Sequence, residues 1–301
     1  PAVLDGEASL ADDAPQLEEG VPNNNVAHIT FEAGDTARVF AEADHVFRKR
    51  FYTHRYAAMP LETRGIVAEW DRGMQQLTVW ISNQFPHLTR TALAAPLGLD
   101  EQQISVATPA VGGGFGQKEG IFPEDLVIPA LAKLIGRPIK WIEDRYENIA
   151  ASSHSKELTS EVELAVAADG KFLAIRGRFV GDGGGYSGYP FTTLVDPLCA
   201  AGFIYSHYAI EHASTELDGP LTNKCPTGAY RGVGWTPGHT VREVLIDEVA
   251  HELGLDPVEL RIDNCIPPEP YEAPFGQRFD GGSYAASLEL ARELVDYDDF
   301  R

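Results

Sequence analysis

Residues 111–120 read Val-Gly-Gly-Gly-Phe-Gly-Gln-Lys-Glu-Gly, and this run constrains the fold more than any other feature of the chain. Three consecutive glycines and a fourth after one phenylalanine suit neither a helix interior nor an ordinary strand. Glycine gives up more backbone entropy on folding than any other residue. Such a cluster therefore belongs where the chain takes positive φ or lies close against something large. The apolar segment Ile104-Ser105-Val106-Ala107 precedes it, and Phe122–Ile135, with the apolar spacing of a helix, follows. A glycine loop between strand and helix presents bare N–H groups to an anion or an oxo group.

Two common loops of this kind do not match. A phosphate-cradling loop requires Gly-x-x-x-x-Gly-Lys-Ser/Thr, and Lys118 is followed by Glu119, which has no hydroxyl for magnesium. A dinucleotide fingerprint would need glycine where Gln117 stands. Gly183, Gly185 and Gly188 match that fingerprint formally, but Tyr189-Pro190 follows where a helix would have to begin. The second cluster reads as a bend at the end of a strand.

Lys and Arg total 24 against 45 Asp and Glu, a formal charge of −21. This argues against nucleic acid or an anionic membrane as partner. No apolar run approaches a membrane span. Cys199, Cys225 and Cys265 form no Cys-x-x-Cys pair, so no zinc or iron–sulfur site is indicated, and the nine histidines form no His-Glu-x-x-His. Widely spaced thiols fit a reducing, cytoplasmic setting.

Residues 1–25 lack periodicity and read as an extended linker, leaving 26–301 as one domain with up to two subdomains. Asp35 is a candidate N-cap for a helix through Glu42. Val46–Thr53, Ile66–Trp70, Leu77–Ser82 and Ile139–Ile142 read as strands, and Pro86–Leu97 as a helix closed by Gly98. Leu158–Val166 and Phe172–Val180 form the clearest hairpin, turning at Ala168-Asp169-Gly170, with His212–Leu217 a further strand. Val241–Leu253 is a helix with Gly254 as its cap, and Asp256-Pro257 opens another. Helices and hairpins alternate without a sustained βαβ rhythm. The expected class is α+β, a layered sandwich of mixed sheets with packed helices.

Three ordered motifs carry a resemblance. Val111–Lys118 resembles the glycine loop of the molybdenum hydroxylases, the xanthine dehydrogenase and aldehyde oxidase family. Ser82-Asn83-Gln84-Phe85-Pro86-His87 resembles that family's segment with a glutamine beside the metal, Gln84 standing 31 positions before Phe115. Gly228-Ala229-Tyr230-Arg231-Gly232-Val233-Gly234 resembles its second cofactor loop. Asp247–Asn264, Ile266-Pro267-Pro268 and Asp280-Gly281-Gly282 continue the likeness.

The resemblance implies the first molybdopterin-binding half of a large subunit, with the chain, running from Pro1 to Arg301, a fragment of it. It implies hydroxylation of an aldehyde or N-heterocycle C–H with water as oxygen source. Electrons would pass to iron–sulfur and FAD subunits of a heterotrimer that also contains the rest of the large subunit. The cofactor would be molybdopterin, in its cytosine dinucleotide form, whose metal takes no ligand from the protein. Gln84, Gly114, Phe115, Gly116, Arg231 and Gly232 would hold it, Gln84 also acting beside the metal during catalysis, while Glu119 and Val233 would meet the substrate. No arginine neighbours Cys199, where purine-oxidising relatives would carry one. Gly232 stands where carbon monoxide dehydrogenases place a copper-binding cysteine, which disfavours that chemistry. The general base is expected outside these residues, so the chain alone is expected to be inactive. The competing reading is a non-catalytic assembly or binding module that keeps the loops.

Overall fold

The structure, a computed structural model, describes residues 2–190 and 193–300; Pro1 and Arg301, the ends on which the fragment reading drew, lie outside them. Of the thirteen strands among the described residues, eleven carry the frame: β1 (Asn25–Ala33), β2 (His45–Thr53), β3 (Tyr56–Ala57), β4 (Gly65–Asp71), β5 (Gln76–Ile81), β6 (Ile104–Ala107), β7 (Ile139–Ile142), β8 (His154–Ser155), β9 (Leu158–Val166), β10 (Phe172–Gly181) and β11 (His212–Pro220). The helices are α1 (Gly6–Ser9), α2 (Thr36–Glu42), α3 (Pro86–Leu97), α4 (Pro123–Ile135), α5 (Arg145–Ala151), α6 (Val195–Gly202), α7 (Trp235–Leu253), α8 (Pro257–Asn264), α9 (Tyr284–Leu294) and α10 (Tyr297–Phe300).

Two mixed sheets result. The larger runs β1-β11-β10-β9-β2, antiparallel except for the parallel pair β10 and β11. The smaller runs β6-β5-β4-β7, with β5 and β6 parallel. Each has its own core. Alternate residues of β9 and β10 (Leu158, Val162, Leu164, Ile175, Phe179) pack on Ala200 and Ile204 and on the Val241–Val249 face of α7. Ile66, Ala68, Leu77, Val79 and Ile81 pack on Leu93 of α3 and Ala132 of α4. Period-two burial along the strands places one face of each sheet inside. On the other face of the larger sheet, Ala165 and Ala174 meet Phe40 of α2.

Local chemistry sets the element ends. Asp35 caps α2 by accepting from Arg38 N, and Gly98, Gly136 and Gly254 end α3, α4 and α7 at positive φ. The α+β layered sandwich expected from the sequence is what the chain adopts.

Four features depart from the sequence reading. The segment before Asn25, read as an extended linker, contains α1 and lies on the body. Ser9 is buried with its hydroxyl donating to Leu221 O, and Val3 exchanges hydrogen bonds with Asn223. Helix α7 starts at Trp235, six residues before Val241. A proline at its third position lacks an N–H that no helical carbonyl would have met anyway, and Gly238 lets the helix lie close on Ala200. The short helices α5 and α6 fall in segments whose sequence gives no sustained helical periodicity. Strand β1 was not foreseen, because its pairing with β11 is long-range.

Candidate functional site

Gln84 sits at the junction where β5 ends and α3 begins, with its backbone N–H donating to Lys118 O at 2.9 Å. Asn83 beside it is buried and accepts from Phe85 N, which fixes the turn into Pro86. The glycine loop follows β6 and folds back over this junction. Gly112 N donates to Glu62 Oε2 at 2.9 Å, and Glu62 N donates to Gly112 O at 3.1 Å. Lys118 Nζ, fully buried, donates to the same Glu62 carboxylate at 2.7 Å. Burial would raise the Glu62 acid, but hydrogen bonds from Lys118, Ser82 and Gly112 outweigh it and hold the acid down at about 2.

The side chain of Gln84 is held at both ends. Its Oε1 accepts Gly116 N–H at 3.0 Å, and its Nε2 donates to Glu119 Oε1 at 2.9 Å. Gly114 makes room for it, since a Cβ there would overlap Gln84 Oε1. Gly116, at φ +102°, brings the loop against the second one: a Cβ on it would stand 2.6 Å from Ala229 O. Arg231 N then donates to Phe115 O at 2.9 Å. The three segments named from the sequence thus meet, residues 84 and 112–116 from the smaller sheet's side and 229–234 from the larger's.

The Arg231 loop is supported from beneath. Lys156 Nζ donates to Arg231 O at 2.9 Å and to Thr236 Oγ1 at 3.1 Å, and lies 4.8 Å from the centre of the Tyr230 ring. Burial pushes the Lys156 ammonium below its ordinary value, with Asp196 acting against it. Asp196 accepts from Ser155 Oγ and Lys156 N, and burial raises its acid to about 6. Phe115 (φ 58°), Lys156 (φ 69°) and Val233 (φ 43°) all hold positive φ without being glycine. Such strain costs on the order of 1–3 kcal/mol per residue and persists only where the surroundings impose it.

Sequence reasoning missed the buried network behind the glycine loop. Gln117 Nε2 donates to Ser152 Oγ at 2.7 Å, and Asn148 Nδ2 donates to Gln117 Oε1 at 2.9 Å and to Glu143 Oε2 at 2.7 Å. Glu143 pairs with Arg64 at 2.6 Å, and Arg64 stacks 3.7 Å from the centre of the Phe122 ring. These polar groups come from three separate segments, around residues 64, 117 and 143–152, so no local motif announces them. The fold also carries Arg242 into a cleft of about 460 Å³ that Cys199, Phe203 and Trp235 line. The sequence around Cys199 contains no arginine, and this one arrives from α7. Its guanidinium is buried and committed to Ile204 O and Glu243.

What remains open at the junction decides its chemistry. Among the described residues, no acceptor meets the N–H groups of Gly113, Gly114 and Phe115. Gln84 Nε2 has a second N–H beyond the one given to Glu119. The Arg231 side chain is exposed and makes no hydrogen bond or ion pair among the described residues. Donors therefore converge here without a carboxylate, thiolate or imidazole cluster; no group of three metal-ligating side chains occurs among the described residues. Such a set suits a cofactor rich in oxygen acceptors that brings its own metal ligands. No helix among the described residues is long and apolar enough to cross a membrane.

The family model described as "Molybdopterin cofactor-binding domain" matches residues 17–265. The large subunit of nicotine 6-hydroxylase from Paenarthrobacter nicotinovorans is 37% identical over 268 residues, covering 89% of this chain and 33% of that protein. The carbon monoxide dehydrogenase large chain of Hydrogenophaga pseudoflava is 35% identical over 322 residues, covering 100% of this chain and 40% of the relative. The solved structure of quinoline 2-oxidoreductase from Pseudomonas putida 86 superposes with a TM-score of 0.95 at 39% identity, over 100% of this chain and 38% of its own. The chain thus spans between a third and two-fifths of these relatives. It belongs to the molybdopterin cofactor-binding domain family, the oxidoreductase family of molybdenum hydroxylase and dehydrogenase large subunits.

Proposed function

We propose that the chain is the cofactor-binding part of a molybdenum hydroxylase that oxidises an aldehyde or an N-heterocycle at a C–H carbon. The observation that carries this reading is the set of uncommitted donors on Gly113, Gly114, Phe115, Gln84 and Arg231, gathered where three backbone segments touch. The chemistry supplied by the bound cofactor is two-electron oxidation with water as the oxygen source. The residues of this chain bind and orient. Gln84 directs its spare N–H at an oxygen acceptor of the cofactor. Gly114, Phe115 and Gly116 lay main chain against it, and Arg231 offers a planar fork to its oxygens or amide edge. Gly232, at φ +83°, turns the chain directly after Arg231. Val233, a small side chain on that turn, borders the substrate.

The heterocycle branch is supported by the likeness to a nicotine 6-hydroxylase and a quinoline 2-oxidoreductase. Gly232 offers no thiolate for copper. The general base, the remaining half of the large subunit, and iron–sulfur and FAD centres on partner subunits complete the assembly, with the pterin in its cytosine dinucleotide form. In this reading the isolated chain does not turn over, because proton abstraction needs a carboxylate within hydrogen-bond reach of the reacting oxygen.

Elemental analysis and pterin release from the full-length complex, expressed with molybdate, test the proposal. Stoichiometric molybdenum with released CMP is expected. Absence of both under molybdate-replete expression leaves a non-catalytic module. Turnover by the isolated, reconstituted chain would overturn the placement of the general base.

A further inference from the structure

The resemblance assigned Glu119 to the substrate, but its carboxylate is already engaged. Three hydrogen bonds close a ring: Gly116 N–H to Gln84 Oε1 at 3.0 Å, Gln84 Nε2 to Glu119 Oε1 at 2.9 Å, and Glu119 N–H to Gly116 O at 3.1 Å. A fourth, Gln84 N–H to Lys118 O at 2.9 Å, ties the two backbones together beside it.

We propose that Glu119 is the positioning residue for Gln84, fixing which way its carboxamide faces. A carboxamide in water turns end for end at little cost, and its oxygen and nitrogen are nearly the same size. Here the turned form would set Nε2 against the Gly116 N–H and Oε1 against the Glu119 carboxylate. Both contacts would be repulsive. The observed form is therefore locked, and it leaves one Nε2–H uncommitted. Without Glu119 the Gly116 N–H alone would still disfavour the turned form, but nothing would fix where the Nε2 end points.

The surroundings fit this role. Glu119 has no cationic partner among the described residues, and its one side-chain hydrogen bond goes to Gln84. Burial pushes its acid up, and the bond from Gln84 acts against that. Gly114 is part of the device, because any side chain there would push Gln84 off the ring.

This inference rests on the molybdopterin reading of the site, and its test separates the two. The full-length complex is prepared as wild type and with Glu119→Gln, Glu119→Asp, Glu119→Ala, Gln84→Ala and the Glu119→Ala/Gln84→Ala double change. For each, molybdenum content, the paramagnetic resonance spectrum of substrate-free enzyme reduced with dithionite, kcat and KM are measured. Glu119→Gln keeps an acceptor at the right reach and is expected to match wild type. Glu119→Asp keeps the charge but withdraws it by one methylene, and Glu119→Ala removes it. Both are expected to shift the spectrum as Gln84→Ala does and to lower kcat about 10- to 100-fold with KM unchanged. The double change is expected to add nothing further. An unshifted spectrum with a raised KM in Glu119→Asp or Glu119→Ala would overturn the proposal in favour of substrate contact. A Glu119→Gln spectrum unlike wild type would overturn it as well. Should Glu119→Ala not fold, the Asp and Gln variants decide alone. Wild-type complex without molybdenum would sink the site reading instead.

Discussion

Four glycines fall within residues 112–116 and four within residues 181–185, and in both clusters most positions leave no space for a side chain. They differ in what meets their N–H groups. In the second cluster Asp182 N donates to Glu157 O, Gly183 N to Pro220 O, Gly184 N to Asp182 Oδ1 and Gly185 N to Lys224 O. In the first, only Gly112 and Gly116 find acceptors, both on side chains, while Gly113, Gly114 and Phe115 find none among the described residues. Of these three Gly114 is buried while Gly113 and Phe115 are at least partly exposed, and a buried backbone donor is almost always paired. One cluster is therefore a packing solution between β10 and the 222–227 segment, and the other is a cradle with its donors held ready. Glycine density alone does not distinguish them.

Substitutions can break this contrast, and the largest effect belongs to the packed cluster. Gly184→Ala places a Cβ onto the Cys225 carbonyl at φ +75°, with backbone on both sides. A loss of about 4 kcal/mol or more in denaturant unfolding is expected. A melt unchanged from wild type would show that this cluster yields where its hydrogen bonds say it cannot.

The junction of the two loops has a pH test of comparable size. Burial raises the Asp196 acid from 3.8 to about 6. Between about pH 4 and 6 the folded protein holds a proton that the unfolded chain has released. Its contribution is complete below pH 4 and is lost as pH rises to about 6, on the order of 3 kcal/mol. Asp125, raised to about 6 by burial, acts in the same direction. Asp196→Asn should flatten the wild-type slope across that window. Identical slopes for the two proteins would refute the assignment.

Gly98→Ala calibrates the cost of φ alone. Nothing lies within 4 Å of its Cβ at φ +61°, so about 1 kcal/mol is expected from the left-handed backbone. Gly114→Ala should cost least in folding, under about 1 kcal/mol, because the obstacle is the movable end of Gln84 rather than backbone. Its expected consequence is loss of bound molybdenum from the full-length complex. Normal metal content with Gln84 displaced would separate the cradle from cofactor retention.

Much of the frame was legible because local chemistry and burial period agree in it. The β9–β10 hairpin with Gly170 at positive φ, and α3 between Pro86 and Gly98, follow from rules that act over a few residues. Strand β1, the docking of residues 2–24 and the first turn and a half of α7 were not legible. Their partners, β11, Leu221, Asn223 and Ala200, are distant in sequence. The same division runs through the site. Gln84, the glycine loop and Arg231 could be named from spacing and resemblance. The supports Lys156, Asn148, Glu143 and Arg64 could not, because each acts through a contact with another segment.

The sequence by itself determined where the chain turns, which faces it buries and which three segments have unusual backbone. Those properties depend on residues a few positions apart. Only the tertiary structure decided that the three segments touch, that Glu119 faces Gln84 and that one glycine cluster keeps its donors free. Hydrogen-bond partners across tens of residues are chosen by how two sheets pack, and no local pattern encodes that choice.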